Sequence, residues 1–521
     1  MDNFNILQSF FCMQMYRNGT KEAIYDYDSG IRYTYQDLAI RSYRLANFLK
    51  KEIKILKNDR VAILSRNDMV YVDTFFSTIY TGAITTSYNI HLMPDDLASL
   101  LQNEQPKVIF YEKEYENKLK AIQAKISVQH FVLLDGNDNP FGPHLYHQIM
   151  KYYCDSRPHF TDLNMEDIIL LMHTGGTTGI PKAAKLSCRA QFLNSVGQQN
   201  TWNLSSNDST IAYLPMFHTA TWNTLVMPVL YAGGRFVLMK KFIPSVLMHI
   251  IASEKISLIW GVPSTYRRIM DDPGFQYADF SSLVWCRCGA APPSLDIMER
   301  YWEKGITFCN GYGMTETSPG TLSMPVASMT LDEIRSKRTS CGKLMPYNEA
   351  KIIDSSGSEV PAGQQGELLF RGNLLFSGYW NNEEETHNIM PDGWIHTGDI
   401  GMVDQDGFFY VVGRKKNTFI SNGENIYPSE IENYIYDHPA VDDTCVIGVP
   451  DRRRGEVGKA LVVLKPGMEL TKDELLTFLK QYLPTIKVPM YVQFIDSIPK
   501  NAVGKVMLSI VTSLYGQEDT Q

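Results

Sequence analysis

The sequence predicts a layered α/β fold, and three observations carry the prediction. Short apolar runs rich in β-formers alternate with segments of helical periodicity through most of the chain. After about residue 340 the texture changes to short strands separated by turn dipeptides such as SG, AG and DG. From 429 it changes again, to helix, strand, strand, helix. The expected organisation is a large N-terminal domain of layered α/β subdomains over 1–415, with a small β-rich subdomain at about 340–415. A small C-terminal α+β domain over 416–521 follows. A chain of 521 residues is too long for one hydrophobic core, which agrees with this division.

The elements follow in order. In YTYQDLAIRSYRLANFLKK (33–51), Thr34 can cap a helix with Asp37 three residues on, and Leu38, Leu45 and Leu49 fall on one face with Ser42 between them. RVAILSRN (60–67) reads as a buried strand and VYVDTFFSTIYTGA as a helix. KVIFYE (107–112), HFVLLD (130–135), DIILLMH (167–173), GGRFVLM (233–239), ISLIW (256–260) and LVWCRC (283–288) are further strands. In the C-terminal unit, SEIENYIYDH and KDELLTFLKQYL are helical, and VDDTCVIGVP and KALVVLK are strands. No internal repeat is present.

Composition narrows the class. Hydrophobic residues make up 44% and charged residues 20%, the usage of a globular protein. A net charge of −8 gives no basic footprint for nucleic acid. Eight cysteines (12, 154, 188, 286, 288, 309, 341 and 445) form no CxxC pair, so reduced and mostly buried thiols are expected. HLYH (144–147) has no acidic or cysteine partner nearby and reads as an exposed face. The first residues lack a basic n-region, and no run of about 18 apolar residues occurs. A cytoplasmic protein is expected, with a peripheral membrane contact left open, as either monomer or homodimer.

LMHTGGTTGIPKAAK (171–185) raises the question of function. Glycines let backbone N–H groups turn toward a ligand and threonine hydroxyls add donors, a combination suited to an anion nest. The common phosphate motif GxxxxGK is not met, because Lys182 follows Pro181. On the residues alone the segment is a phosphate loop of another kind or a flexible turn.

The rest of the chain supplies the context. The loop resembles the T-S-G-T-T-G-x-P-K-G phosphate loop of the acyl-adenylate-forming superfamily, with Gly175 for Ser and Ala183 for Gly. Further segments resemble that superfamily in the same order: YLPMFHTA (213–220), CGAAPP (288–293), NGYGMTET (310–317), GELLFRGNLLFSGYW (366–380), WIHTGD (394–399), GRKKNTFISNGENIYPSEIE (413–432) and PKNAVGK (499–505). The resemblance covers about 30–510 and is to its acyl-CoA synthetase branch.

It implies ATP-dependent activation of a carboxylic acid to acyl-AMP with release of pyrophosphate, then transfer to coenzyme A. Two anions must meet, so positioning and charge neutralisation are the chemical problem. By resemblance, Thr174, Gly175, Gly176, Thr177, Thr178, Gly179 and Lys182 hold the ATP phosphates. Thr315 meets the α-phosphate, and Glu316 binds Mg2+, a hard cation that prefers oxygen. Gly289, Ala290 and Ala291 with Asn310, Gly311, Tyr312 and Gly313 form the adenine site, Tyr312 stacking and Asn310 meeting the exocyclic amine. Asp399 and Arg414 contact the ribose. Lys505 bridges the acid and the ATP, and His218 lies near the reacting carboxylate.

Lys416 occupies the family's hinge position, about which the C-terminal domain is mobile; Asn417 replaces the usual acid beside it. After rotation, Ser421, Asn422, Gly423 and Glu424 approach coenzyme A. The acyl pocket is drawn from Phe217, Thr221, Trp222, Trp260, Gly261, Val262, Gly289 and Met314, a set that suggests an apolar acid, fatty, aromatic or alicyclic. Two other readings stay open: transfer to a carrier-protein phosphopantetheine, and a nucleotide-binding regulator without catalysis.

Overall fold

The computed structural model describes residues 13–174, 181–500 and 506–517. Five sheets organise the chain. The first has seven strands in the order His144–Leu145, His130–Leu133, Val108–Tyr111, Arg60–Leu64, Ile84–Ser87, Ile168–His173 and Ala183–Ser187. All neighbours are parallel except the last pair, an antiparallel hairpin in which His173 lies opposite Ala183. Pro181 therefore leads into a strand rather than a helix.

Helices cover this sheet. Tyr35–Phe48 starts on the expected capping box of Thr34 and Asp37 and buries Leu38, Ser42 and Leu45. Met69–Thr81 is buried throughout, capped by Asp68, and ends at Gly82 in the left-handed region (φ 71°). The two are tied together by the Arg41–Asp73 pair at 2.6 Å.

A second sheet orders Ser209–Ala212, Arg235–Leu238, Glu22–Asp26 and Ile31–Thr34. The third runs Leu258–Gly261, Trp285–Cys288, Thr307–Tyr312, Leu322–Ser323 and Lys343–Leu344, its first three strands parallel. The fourth is antiparallel: Asn348–Ile353, Gly366–Gly372, Ile395–Val403 and Phe409–Arg414. Turn dipeptides closing short strands are what made this β-rich region readable.

After Arg414 the chain makes a 3-10 turn over Lys415–Asn417 and enters the fifth sheet at Phe419. That sheet pairs Val441–Asp451 with Gly455–Leu464 over ten residues, against the helices Pro428–Tyr436 and Lys472–Leu479. The strand Tyr491–Phe494 and the helix Leu508–Tyr515 complete it and had no sequence signal.

Among the described residues the cysteines are all free; Cys154 is exposed, and 188, 286, 288, 309, 341 and 445 are buried, as expected. HLYH departs from expectation in one half. His147 is exposed, but His144 lies on an edge strand, half-buried against Phe48 (ring centroids 5.2 Å) and His130 (5.9 Å). No helix among the described residues is long and apolar enough to cross a membrane.

Candidate functional site

The first, third and fourth sheets bring several of the predicted residues near one another. The hairpin of the first sheet brings Thr174 and Lys182 together: the Thr174 N–H donates to the Lys182 carbonyl at 2.9 Å. The strand Ala183–Ser187 then holds the 377–380 segment. The Lys185 N–H donates to Gly378 at 2.9 Å and the Trp380 N–H to Ala183 at 2.8 Å. This places Tyr379 beside Lys182, whose ammonium lies 5.3 Å from the ring centroid and pairs with Glu385. Gly175, Gly176, Thr177, Thr178 and Gly179 lie outside the described residues.

The Tyr379 hydroxyl donates to Glu316 Oε1 at 2.5 Å. Glu316 sits in the 3-10 turn Thr315–Thr317, directly after the third-sheet strand that ends at Tyr312. It is 6% exposed, and its carbonyl accepts from the Phe376 N–H at 2.9 Å. Burial and the adjacent carboxylate push the Tyr379 phenol far up, so it remains a donor. Among the described residues no cluster of three or more metal-ligating side chains occurs. One buried carboxylate with phosphate oxygens suits Mg2+, which keeps waters and takes few protein ligands.

Thr315 Oγ1 lies 3.3 Å from Thr219 Oγ1, which brings the residue after His218 to the turn that carries Glu316. His218 Nε2 is buried without a partner. Burial, with a smaller contribution from His173, pushes the His218 pKa down to about 4, so the imidazole is neutral at pH 7. His173 itself belongs to a network not foreseen in the sequence analysis. Its Nε2 faces Glu104 Oε1 at 2.6 Å and its Nδ1 the Ser87 carbonyl at 2.8 Å. Glu104 also accepts from Thr86 and Tyr88, each at 2.7 Å. Burial opposes charge on His173, but the Glu104 carboxylate outweighs it and raises the pKa.

The residues expected at the nucleoside come from the third and fourth sheets. Asp399 and Arg414 are directly opposite on paired strands, and Arg414 Nε lies 2.9 Å from Asp399 Oδ1. The Tyr312 hydroxyl donates to Asp399 Oδ2 at 2.5 Å, and the Asp399 N–H donates to Thr397 Oγ1 at 3.0 Å. Asp399 is 2% exposed, a buried acid held by a cation and a phenol. Asn310 Oδ1 is buried with no donor, the acceptor that an adenine amino group requires. Ala290 takes a left-handed φ of 66°, which costs energy for a residue with a Cβ, and a Cβ at Gly289 would lie 2.7 Å from Trp260. A Cβ at Gly313 would overlap the Pro319 carbonyl, so the turn requires glycine there.

The acyl-pocket candidates divide. Phe217 and Trp222 are part of the large core, Trp222 against Phe75 at 5.2 Å. Trp260, with Val262 beside it, belongs to a smaller cluster containing Trp202 and Trp285. Gly261 faces Tyr213 and Tyr266, Thr221 is buried with an unpartnered hydroxyl, and Met314 is half-buried against the large core.

In the C-terminal unit, Asn422 (φ 50°) and Gly423 (φ 83°) form the tip of a hairpin between Ser421 and Glu424. Lys416 is exposed in the preceding turn. Lys505 lies outside the described residues; its flanks are fixed by pairing of Lys500 with Val506 and by the Lys500–Asp443 ion pair at 2.6 Å.

Comparison with known proteins shows the family. Residues 11–380 match the AMP-binding enzyme family, and 430–505 match the AMP-binding enzyme C-terminal domain. The chain belongs to the AMP-binding enzyme family. A feruloyl-CoA synthase of Amycolatopsis is 35% identical, over 94% of this chain and 95% of that protein. A long-chain-fatty-acid–CoA ligase of Escherichia coli is 30% identical, over 91% and 88%. The ATP-bound crystal structure of MatB from Rhodopseudomonas palustris superposes with a TM-score of 0.87 at 26% identity, covering 98% of this chain and 99% of that one. These relatives place this AMP-binding enzyme on the AMP-forming acid–CoA ligase branch. The two curated relatives differ in the acid they are named for, so family membership leaves the acid undetermined.

Proposed function

We propose that this enzyme couples ATP cleavage to thioester formation in two steps. The carboxylate oxygen attacks the α-phosphorus of ATP, the bond to the β-phosphate oxygen breaks, and acyl-AMP and pyrophosphate form. The thiol sulfur of coenzyme A then attacks the acyl carbon, AMP leaves, and the thiol proton passes to solvent. In this reading Thr174, Lys182 and the 175–179 segment hold the β- and γ-phosphates. Thr315 orients the α-phosphate. Asp399 accepts from the ribose hydroxyls and is itself kept in place by Arg414 and Tyr312. Glu316, fixed by Tyr379, would hold Mg2+, which supplies charge neutralisation on the phosphates when bound. Lys505 stabilises charge developing between acid and phosphate. His218, neutral at working pH, orients the carboxylate without adding charge. Lys416 is the hinge, and Ser421–Glu424 approach the pantetheine arm. The aromatic candidates Phe217, Trp222 and Trp260 support an acid with an apolar body.

The observation that carries the reading is the buried Asp399, braced by a cation and a phenol, together with the unpartnered Asn310 acceptor on the strand that carries that phenol, Tyr312. The test is acid-dependent exchange of labelled pyrophosphate into ATP over a panel of acids, followed by comparison of free coenzyme A with a carrier protein as acceptor. Exchange with some acid and AMP release with coenzyme A are expected. Absence of exchange with every acid would refute adenylation, and AMP release with a carrier alone would move the second step to phosphopantetheine on protein.

A further inference from the structure

Arg287 has no part in the chemistry above, yet it lies against the catalytic loop. It is on the second strand of the third sheet, Trp285–Cys288, and is 3% exposed. One nitrogen, Nη2, donates to the Leu322 carbonyl at 2.8 Å, and the guanidinium carbon is 4.9 Å from the Trp202 ring centroid. Nε and Nη1 are buried and have no partner. Burial lowers its pKa to about 10, and the groups that oppose the shift are Cys309, Cys341 and Tyr266, none of them a carboxylate. The guanidinium presses on the NGYG backbone: a Cβ at Gly311 would lie 2.2 Å from Arg287 Nε.

The helix Cys188–Trp202 adds amides to the same place. Trp202, under the guanidinium, is one turn beyond Gln198, and Asn194 is one turn before it. Gln198 is fully buried with Oε1 unpartnered; its Nε2 donates to Asn194 Oδ1 at 3.4 Å and lies 2.1 Å from where a Gly320 side chain would begin. Gln198 and Arg287 thus meet the same Gly320–Leu322 stretch, which continues the turn carrying Thr315 and Glu316. Asn194 donates to the Asn223 carbonyl at 2.7 Å, and the Asn223 amide is itself buried with neither atom partnered. Ser318, between the catalytic turn and Gly320, is buried, has an unpartnered hydroxyl and takes a φ of 60°.

A buried cation without an anion and a buried amide without a partner are each unfavourable. Several of them against one loop form what a site designed to bind a polar group looks like before that group arrives. The chemistry fixes the complement. Guanidinium offers donors alone, in a fork that fits a carboxylate. Resting on the acid–CoA ligase reading of this site, we propose that the acid activated here carries a second acceptor group, a carboxylate in the best match, at its end remote from the adenylated carboxylate, and that Arg287 reads it. The acid then has an apolar middle and two polar ends.

The test uses pairs of acids of equal length, one ending in carboxylate and one in methyl, each with an aliphatic or an aromatic middle. Pyrophosphate exchange gives kcat/KM for both members, with the intact enzyme and with Arg287→Met. In the intact enzyme the carboxylate-ended member is expected to win by at least ~100-fold, since sites built for a polar group strongly reject analogues that lack it. Arg287→Met is expected to collapse that ratio at least ~10-fold. Should that variant not fold, Arg287→Lys, which keeps the charge and loses the fork, is expected to narrow the ratio. Melting temperature with each acid, without ATP, gives a readout independent of turnover, and the carboxylate-ended acid is expected to raise it only when Arg287 is present. Exchange that favours the methyl-ended acids, or a ratio indifferent to Arg287, overturns this proposal and leaves the ligase reading standing. No exchange with any acid, and no acid raising the melting temperature, overturns both.

Discussion

Tyr379→Phe isolates one hydrogen bond at the centre of the site. The ring keeps its edge contact with Phe376 (4.9 Å) and its place beneath the Lys182 ammonium (5.3 Å), and the backbone N–H of residue 379 keeps its bond to Thr386 (2.8 Å). The change deletes the donor 2.5 Å from Glu316 Oε1. A hydrogen bond to an ionised partner contributes about 1.5–3 kcal/mol, and Glu316 is buried, so no water replaces the donor cheaply. At 1.4 kcal/mol per factor of ten, that predicts a ~10–100-fold loss if the bond positions the carboxylate for Mg2+, the range found when groups supporting metal ligands are removed. The assay is pyrophosphate exchange against Mg2+ concentration. The expected result is a raised Mg2+ half-saturation with little change in KM for the acid. An unchanged Mg2+ dependence, with only a lowered melting temperature, would show that Tyr379 merely satisfies a buried acid and would refute its role in positioning.

Four further outcomes follow from the proposed function. Asp399→Asn keeps the shape but removes the charge facing Arg414; KM for ATP should rise ~10–100-fold and KM for the acid should not, as steady-state kinetics would report. For His218, a folded pKa near 4 lies below the unfolded value of about 6.5, so the unfolded chain binds the extra proton and stability falls as pH drops through that window. His218→Asn should therefore gain in melting temperature relative to the intact enzyme at pH 5 compared with pH 7.5; an equal gap at both pH values would contradict a buried neutral imidazole. Lys505→Ala should abolish acyl-AMP formation and spare thioester formation from supplied acyl-AMP, measured as separate half-reactions. Lys416→Pro, in the turn between the fourth and fifth sheets, should do the reverse, and unchanged overall turnover would count against a hinge.

What could be read in the sequence was local. The helix Tyr35–Phe48 declared itself because its cap and its apolar face lie within one short stretch, whereas Leu508–Tyr515 buries only Val511 and starts at Met507 with no side-chain cap. The turn-rich antiparallel sheet was legible because each hairpin is a contiguous segment. The motif residues were found for the same reason. The partners that hold them were not: Tyr379 reaches Glu316 across 63 residues and His173 reaches Glu104 across 69. No spacing rule spans such separations, and only strand order brings them together. Arg287 was invisible for a related reason, since WCRC reads as an ordinary strand until its alternation turns the arginine toward the catalytic loop and Cys286 and Cys288 toward the opposite core.

The charge arrangement explains why such an enzyme needs help from outside the fixed part of its site. Adenylation brings a carboxylate against a phosphate, and two unit charges about 4 Å apart repel by about 4 kcal/mol at the effective dielectric of a partly exposed site. The described cations nearby are committed: Lys182 to Glu385, Arg414 to Asp399. His218 cannot contribute, because burial keeps it neutral. Arg287 is held behind Gly311, on the loop's backbone. A fixed extra cation would cling to the product anions as firmly as to the reactants, since uniform binding gives no acceleration. In the proposed function, a lysine carried on the C-terminal unit would avoid this, because it could be present for the first step and absent for the second. On that proposal the Lys416 turn would have a mechanistic purpose: it would let one sequence offer positive charge when two anions must meet and offer the Ser421–Glu424 hairpin when a thiol must approach instead.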